Sequence, residues 1–239
     1  MSNLTQILET QQFIQRSDEW YTARKQYLTA SDIGSVLGLN PYQTRQETLF
    51  KKCDAGKPFT GNIATEHGQR YEQEAIDEYA RLLGRVSYEV GLIPYAALNS
   101  NTFVNNIDCS FLAGSADGVT TLCDGTELNA IEVKSPFRRS IIYHEIPEHY
   151  YPQLQINLHI LNVAMGDFIE YVPQGHQRAL KPKMNVVRIY KDDAWFQSVL
   201  PSLFDFWEEV KLYRQVGIDK FPYGLDYLNT SQINNTDLT

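Results

Sequence analysis

Hydrophobic residues recur with two different periods along the chain, and the period changes near residue 85. Before this point the spacing is helical, and it predicts helices over about 17–27, 28–38, 44–53 and 62–83. Ser17 precedes two acidic residues, as the N-cap of the first helix would, and Gly84 is placed to end the longest one. The polar and mixed residues 1–16 predict only a lead-in segment.

After residue 85, short alternating runs predict strands separated by turn sequences such as Cys123-Asp124-Gly125. In order, the pattern predicts strands over 86–94, 111–121 and 128–134, a helix over 148–161, strands over 168–172 and 186–190, and a helix over 192–216. This order predicts an α/β fold, with a mixed central β-sheet flanked by helices, in a single domain over residues 1–227. Residues 228–239 are rich in Asn and Thr and predict a disordered tail.

The strand that ends at Lys134 carries the most distinctive chemistry. Successive side chains of a strand point to opposite faces, so Ile131 and Val133 are expected in the core while Glu132 and Lys134 share the other face. Asp117 would reach them if its segment pairs with this strand. Two carboxylates beside one amine predict a site for a hard divalent cation with an adjacent catalytic lysine. The competing interpretation is a solvated strand face with a surface ion pair, and Asp117 as a turn residue.

The composition restricts the class of protein. The chain has 239 residues, of which 43% are hydrophobic, with 21 basic and 29 acidic residues and a formal net charge of −8. This is enough apolar material for one substantial core. An acidic total is not typical of a nucleic-acid-binding domain, although a local positive groove is sufficient for binding.

The cysteines and the hydropathy pattern indicate a compartment. Cys53, Cys109 and Cys123 show no CxxC spacing, which argues against a disulfide framework or a zinc site and for a reducing environment. No signal-peptide pattern opens the chain, and no run of about 18 apolar residues occurs. We therefore expect an intracellular, cytoplasmic protein that has no membrane partner.

Several common catalytic motifs are absent. The sequence contains neither a GxxxxGK[ST] phosphate loop nor a GxGxxG dinucleotide turn. His144-Glu145 and His149 superficially suggest a zinc-protease helix. That interpretation is rejected because the two histidines are five residues apart rather than four, and Pro147 interrupts the segment.

The acids and the lysine, Asp117 followed by Glu132-Val133-Lys134, resemble the signature of PD-(D/E)XK nucleases. Five stretches, in the family's order, resemble the YqaJ-like viral recombinase branch of that superfamily, to which phage lambda exonuclease belongs. They are Trp20-x-x-x-Arg24, Thr29-Ala30-Ser31-Asp32-Ile33, His67-Gly68-Gln69-Arg70-Tyr71-Glu72, Ala116-Asp117-Gly118 and Tyr151-Pro152-Gln153-Leu154-Gln155. The resemblance covers about residues 17–173 and implies a PD-(D/E)XK restriction-endonuclease-like core.

This resemblance implies a metal centre. Asp117, Glu132 and the carbonyl of Val133 would bind Mg²⁺, for which Mn²⁺ would substitute, and Glu72 would bind a second ion directly or through water. Lys134 would orient or deprotonate the attacking water and stabilise the charge at phosphorus.

Two of the catalytic assignments have alternatives. Gln153 is implied to position the attacking water or the catalytic lysine, but Gln155 is a rival for the same role. Glu72 stands among other acidic residues and is also compatible with an ordinary acidic helix surface.

Two residues near the start of the chain are implied to bind the DNA end. Arg24 and Ser31 match positions that bind a 5′-phosphate, and a guanidinium fork and the amides at a helix start both suit a phosphate. The alternatives are an ion pair of Arg24 with Asp18 or Glu19 and an N-cap role for Ser31. The N-terminal helices over 17–54 would thereby form part of the DNA-end site.

Basic residues elsewhere are candidates for weaker contacts to the DNA backbone. They are Arg138, Arg139, Lys181 and Lys183. A solvated basic loop is the alternative. Tyr42 and Phe137 are candidate stacking platforms at a DNA end, or core residues.

The function implied by the resemblance is a metal-dependent 5′→3′ exonuclease. It would degrade one strand of linear double-stranded DNA to mononucleotides and leave 3′ single-stranded tails for a single-strand annealing protein. A homotrimeric ring is implied by the same family. The alternatives are an endonuclease or single-strand nuclease of the same fold, and a catalytically silent DNA-binding accessory protein in recombination.

Overall fold

The structure of the protein is a computed structural model, which describes residues 2–55 and 61–222. In these ranges the helices are α1 (Asn3–Glu9), α2 (Asp18–Gln26), α3 (Ile33–Val36), α4 (Arg45–Lys52), α5 (Ile63–Leu83), α6 (Tyr95–Leu98), α7 (Tyr151–Leu161) and α8 (Asp193–Val216). The strands are β1 (Leu28–Thr29), β2 (Arg85–Tyr88), β3 (Ile93–Pro94), β4 (Phe103–Val104), β5 (Ile107–Asp108), β6 (Leu112–Gly114), β7 (Gly118–Leu122), β8 (Asn129–Lys134), β9 (Met165–Val172) and β10 (Lys183–Tyr190).

Five strands form the main sheet, in the order β10-β9-β8-β7-β2. β8 and β9 are parallel, whereas β7 pairs antiparallel with β8 and with β2, and β10 pairs antiparallel with β9. Parallel neighbours need a crossover connection, and α7 lies in the connection between β8 and β9. The predicted mixed sheet flanked by helices is therefore confirmed.

The longest helix before the sheet, α5, covers one face of it. Its apolar side forms a buried cluster with Ile131 and Val133 of β8, which are 1% and 6% exposed. The predicted alternation of β8 is confirmed, because these two side chains face α5. Glu132 therefore points to the opposite face.

On that opposite face, α7 and α8 pack into a larger core. The leucines predicted to face the core from α7, Leu154, Leu158 and Leu161, are at most 4% exposed, and Phe168 of β9 packs with them. Burial of such side chains contributes about 1.5–3 kcal/mol each to folding. Strand β8 is thus held between two apolar layers.

Two of the predicted strands are each divided between different sheets. Residues 86–94 form β2 in the main sheet and β3 in a three-stranded sheet with β1 and β6, and residues 111–121 form β6 there and β7 in the main sheet. Around the second break, β6 and nearly all of β7 are buried, so neither strand alternates between buried and exposed residues. The sequence pattern therefore did not reveal that the chain changes sheets at Ser115 to Asp117.

The N-terminal segment is more ordered than predicted. Residues 1–16 were expected as a lead-in, but α1 begins after the N-cap Ser2, and Ile7 is fully buried. Phe13 forms a β-bridge with Leu92. The apolar residues of α1 fill little more than one turn, which is too short to show a helical period.

The helix ends agree well with the sequence. The side chain of Ser17 accepts a hydrogen bond from the N–H of Trp20 at 3.1 Å, and Gly84 ends α5 with a φ of 62°, a value that favours glycine. The predicted helix over 28–38 is instead a short strand, a 3₁₀ turn and the four residues of α3. The predicted disordered tail lies outside the described residues. None of the helices in the described ranges is long and apolar enough to cross a membrane.

Candidate active site

Glu132 lies at the centre of a group of polar side chains on the α7 face of the sheet. Its side chain is 2% exposed, and its Oε1 accepts hydrogen bonds from Lys134 Nζ and Gln153 Nε2, both at 2.5 Å. Its Oε2 accepts from Asn157 Nδ2 at 3.3 Å. A solvated strand face with a surface ion pair is therefore the wrong interpretation of Glu132 and Lys134.

Asp117 joins this group from the residue before β7. Its backbone N–H donates to the carbonyl of Ile131 at 3.1 Å, and its Oδ2 accepts from the N–H of Val133 at 2.7 Å. The segment of Asp117 thus pairs with β8, which is the condition under which the two acids were expected to come together. The two acids therefore lie close together near the end of β8, the central strand of the sheet.

The electrostatics of the site are set by burial and by the mutual repulsion of the acids. Burial, followed by the charge of Asp117, raises the pKa of Glu132 to about 8. Burial also raises the pKa of Asp117. Burial alone would lower the pKa of Lys134, but the charges of Glu132 and Asp117 raise it above its usual range. Lys134 also lies over the ring of Tyr150, 5.3 Å from its centroid.

Glu72 lies near this group, on α5, and is held by Arg16. The guanidinium of Arg16 contacts both carboxylate oxygens, at 2.9 and 2.7 Å. Burial raises the pKa of Glu72, and so does the nearby charge of Asp117, while Arg16 and Lys134 lower it. Glu72 is therefore paired with Arg16 and is influenced by the charges of Asp117 and Lys134.

The donor set is compatible with a hard cation bound by few protein ligands. Within residues 2–55 and 61–222, no three His, Cys, Asp or Glu side chains come together closely enough to hold a metal by themselves. Mg²⁺ commonly uses one or two carboxylates and completes its octahedron with water and substrate oxygens. Glu132, which is buried, and Asp117, which is partly buried, fit that pattern.

The structure distinguishes the two glutamines of α7. Gln153 donates to Glu132, whereas Gln155 is fully buried, donates to the carbonyl of Tyr190 at 2.9 Å and accepts from the N–H of Asp192 at 2.9 Å. Gln155 therefore fixes the start of α8. Asn157 is a contact that the sequence analysis missed. It lies four residues after Gln153, one helical turn away, and this spacing could have revealed it.

Arg24, near the end of α2, lies next to Ser31, which belongs to the 3₁₀ turn after β1. The Nη2 of Arg24 donates to Ser31 Oγ at 2.8 Å, and its guanidinium lies 4.3 Å from the centre of the Trp20 ring. The alternative ion pairs with Asp18 or Glu19 are not formed. We call Arg24 and Ser31 the N-terminal pocket.

Trp20 connects this pocket to the cluster of Asp117, Glu132 and Lys134. Its Nε1 donates to Ser115 Oγ at 3.3 Å, two residues before Asp117 in the chain. The N-terminal pocket and this cluster therefore belong to neighbouring parts of one surface.

The candidate backbone contacts divide into two kinds. Arg138, Lys181 and Lys183 are exposed to solvent. Arg139 instead forms an ion pair with the fully buried Glu170, and its guanidinium lies 5.9 Å from the centre of the Tyr150 ring. The first three are free to meet a polyanion, whereas Arg139 has a partner inside the protein.

The two candidate stacking residues also differ. The side chain of Tyr42 is 75% exposed and lies edge-on to His149. Phe137 is partly buried and packs against His67 and His176. Tyr42 therefore has a free ring face, while Phe137 is mainly a packing residue of the loop after β8.

Two viral proteins are similar to this chain in sequence. An uncharacterized protein of Acanthamoeba polyphaga mimivirus is 31% identical over 181 residues, which are 71% of this chain and 31% of that protein. A protein of African swine fever virus is 26% identical over 171 residues, 65% of this chain and 49% of that one. The chain thus spans less than half the length of these curated relatives.

Among solved structures, the alkaline exonuclease LHK-Exo of Laribacter hongkongensis is similar, with a TM-score of 0.63 and 21% identity over 84% of this chain and 95% of that one. LHK-Exo in complex with dAMP gives a TM-score of 0.64 with the same identity and coverage. This likeness confirms the PD-(D/E)XK fold. The family model of the YqaJ-like viral recombinase domain matches residues 19–164. This range includes the N-terminal pocket and the cluster of Asp117, Glu132 and Lys134. The chain belongs to the YqaJ-like viral recombinase domain family.

Proposed function

We propose that this chain is a metal-dependent 5′→3′ exonuclease on linear double-stranded DNA. The observation that carries the proposal is the cluster formed by Asp117, Glu132 and Lys134, in which a partly buried acid, a buried acid and one amine meet at the end of β8. The fold shared with an alkaline exonuclease supports this assignment. The N-terminal pocket supports the polarity.

Each residue of the group has a defined part in phosphodiester hydrolysis. Mg²⁺, held by Asp117, Glu132 and the carbonyl of Val133, would lower the pKa of water and neutralise charge on the scissile phosphate. In the metal-free site the charges of Glu132 and Asp117 raise the pKa of Lys134, and its protonated amine is suited to stabilise the negative charge at phosphorus.

Two neighbours keep the acids and the amine in position. Gln153 shares Oε1 of Glu132 with Lys134, so it fixes the carboxylate and through it the amine. Glu72, paired with Arg16, supplies a further carboxylate at the edge of the group, where a second ion would bind directly or through water.

The N-terminal pocket separates an exonuclease from an endonuclease. A site for a terminal 5′-phosphate is useful to an enzyme that starts at an end and has no role in cutting within a strand. Arg24 offers a planar fork for such a phosphate, and Ser31 a hydroxyl. Arg138, Lys181 and Lys183 would contact the backbone of the duplex, and binding would then weaken as salt rises.

The experiment is digestion of a linear duplex labelled at either end, with and without a 5′-phosphate, in Mg²⁺, beside a covalently closed circle. We expect mononucleotides from the 5′-terminated strand, faster digestion of phosphorylated ends, and no cutting of the circle. Lys134→Met is the inactive control. Cleavage of the circle would favour the endonuclease alternative, and a folded protein without nuclease activity would favour the accessory alternative.

Family membership adds two further parts to the proposal. The 3′ single-stranded tail would be taken up by a single-strand annealing protein, and the enzyme would act as a homotrimer. Light scattering at working concentration tests the second part, and a monomer there would contradict it.

A further inference from the structure

Lys52 is a buried lysine that uses all of its hydrogen-bonding capacity inside the protein. The side chain is 3% exposed. Its ammonium contacts Asp32 Oδ2 at 2.8 Å and donates to the backbone carbonyls of Arg24 at 2.8 Å and Tyr27 at 2.6 Å. An ammonium has three donors, so each of them has a partner.

Asp32, the ionic partner of Lys52, belongs to the turn that carries Ser31. Its Oδ2 accepts from Thr29 Oγ1 at 2.5 Å and from the N–H of Thr29 at 3.4 Å, which closes a capping box over the 3₁₀ turn of residues 30–32. Lys52 therefore joins two segments. One is the end of α2, which presents Arg24, and the other is the turn, which presents Ser31.

The charge balance around this lysine is unusual for an acidic chain. Among the described residues, Arg24, Lys51 and Lys52 are the cations that act on Asp32, so three positive charges surround one carboxylate. Burial lowers the pKa of Lys52 to about 8, although Asp32 opposes this shift. Positive charge is therefore in excess around Asp32, the residue that follows Ser31.

Stability alone is a poor explanation for such a pair. Replacement of a buried ion pair by apolar residues is often neutral or stabilising, because desolvation of the two ions offsets their attraction. Lys52 does, however, fix the distance between two backbone segments. That geometry is what a phosphate pocket made of Arg24 and Ser31 requires.

We propose that Lys52 is a positioning residue for the N-terminal pocket, and that through Asp32 and the carbonyl of Arg24 it sets the selectivity for a terminal phosphate that it does not itself contact. The inference rests on the proposed function, since that function assigns the 5′-phosphate to Arg24 and Ser31. It assigns a role to a lysine on α4, outside the motifs that identify the family.

The test uses Lys52→Met, Asp32→Asn, and the double variant in which no buried charge is left unpaired. The readout is the ratio of kcat/KM for 5′-phosphorylated to 5′-hydroxyl duplex ends. We expect the ratio to fall about tenfold to a hundredfold in the double variant, as for a misplacement of about 1 Å, with little change on hydroxyl ends. Lys25→Met is the matched control, because Lys25 is an exposed lysine paired with Asp54.

The same variants are compared without metal, by fluorescence anisotropy with duplexes that carry or lack the 5′-phosphate. This readout reports binding alone, which a general loss of stability would not change selectively. Asp32→Asn retains the bonds of Lys52 to the two carbonyls. It therefore tests the positioning role if the other variants do not fold. We expect it to lose part of the phosphate preference.

The possible failures are distinguishable. If wild type shows no preference for phosphorylated ends, or Arg24→Ala retains it, the proposed function fails. If Arg24→Ala abolishes the preference while the folded Lys52 and Asp32 variants retain the wild-type ratio, the positioning role of Lys52 is overturned and the proposed function stands.

Discussion

The backbone N–H of Val133 donates to the carboxylate of Asp117 at 2.7 Å, so one acid of the site is fastened to the strand that carries the other. Asp117→Asn retains an oxygen for this bond but removes the charge. We expect nuclease activity to fall at least about a hundredfold, the scale of a lost electrostatic contact in a transition state. Thermal unfolding should be unchanged or shifted upward, because repulsion with Glu132 disappears.

Asp117→Ala is the companion variant. It leaves the N–H of Val133 without its acceptor, which costs about 1–3 kcal/mol if the group stays buried. Both variants should be inactive, but only Asp117→Ala should be clearly less stable in calorimetry. Appreciable activity in Asp117→Asn would contradict the assigned role of the charge.

Asn157 supports the second oxygen of Glu132 from α7. Asn157→Leu has a similar volume and no donor, so we expect metal affinity to fall about tenfold to a hundredfold, as for other supports of metal ligands. Isothermal titration with Mn²⁺ measures this directly. Asn129→Leu is the matched control, because Asn129 is also buried and donates to a carboxylate, that of Asp167, at the other end of β8.

The Asn129 variant should lose stability but retain metal affinity. Equal losses of affinity in the two variants would mean that Asn157 acts only through packing.

Arg138 and Arg139 are neighbours with different surroundings, so they form a natural pair for testing DNA contacts. Arg139→Ala leaves the fully buried Glu170 without its ionic partner, and we expect a loss of stability on the order of 2–4 kcal/mol in denaturant unfolding. Arg138→Ala should unfold like wild type but bind duplex DNA more weakly and with a smaller salt slope. If Arg138→Ala lost stability and Arg139→Ala weakened only DNA binding, the structural role would belong to Arg138 and the DNA contact to Arg139.

Activity should depend on pH and on Mg²⁺ together. The raised pKa of Glu132, due to burial and then to Asp117, means that a proton competes with the metal. At low Mg²⁺, activity should rise from pH 6 to 9, and more Mg²⁺ should move the rising limb to lower pH. A rising limb that does not move with Mg²⁺ would contradict this competition.

The same carboxyl affects the stability of the metal-free protein. Its ordinary pKa of 4.5 is raised to about 8, so the folded protein binds more protons than the unfolded chain between these values. Its contribution to the free energy of unfolding is complete below pH 4.5 and is lost as the pH rises toward 8. The difference between wild type and Glu132→Gln, followed by thermal unfolding across this range, isolates that contribution.

Local sequence patterns were sufficient to predict the features that depend on neighbouring residues. The alternation of Ile131 to Lys134 placed two residues in the core and two on the other face, and Ser17 and Gly84 marked helix ends. These follow from the geometry of one strand or one helix, which neighbouring residues specify. The family, and with it the fold, was recognisable from five short stretches in order.

Contacts between residues far apart in the chain became visible only in the folded structure. Asp117 reaches Glu132 because the chain leaves one sheet after Gly114 and joins another at Gly118, and nothing in the alternation marks that change. Lys52 meets Asp32 across 20 positions, and Arg139 meets Glu170 across 31. Such contacts depend on how separate elements pack, because a side chain's partner in the core is set by the whole fold rather than by the residues beside it.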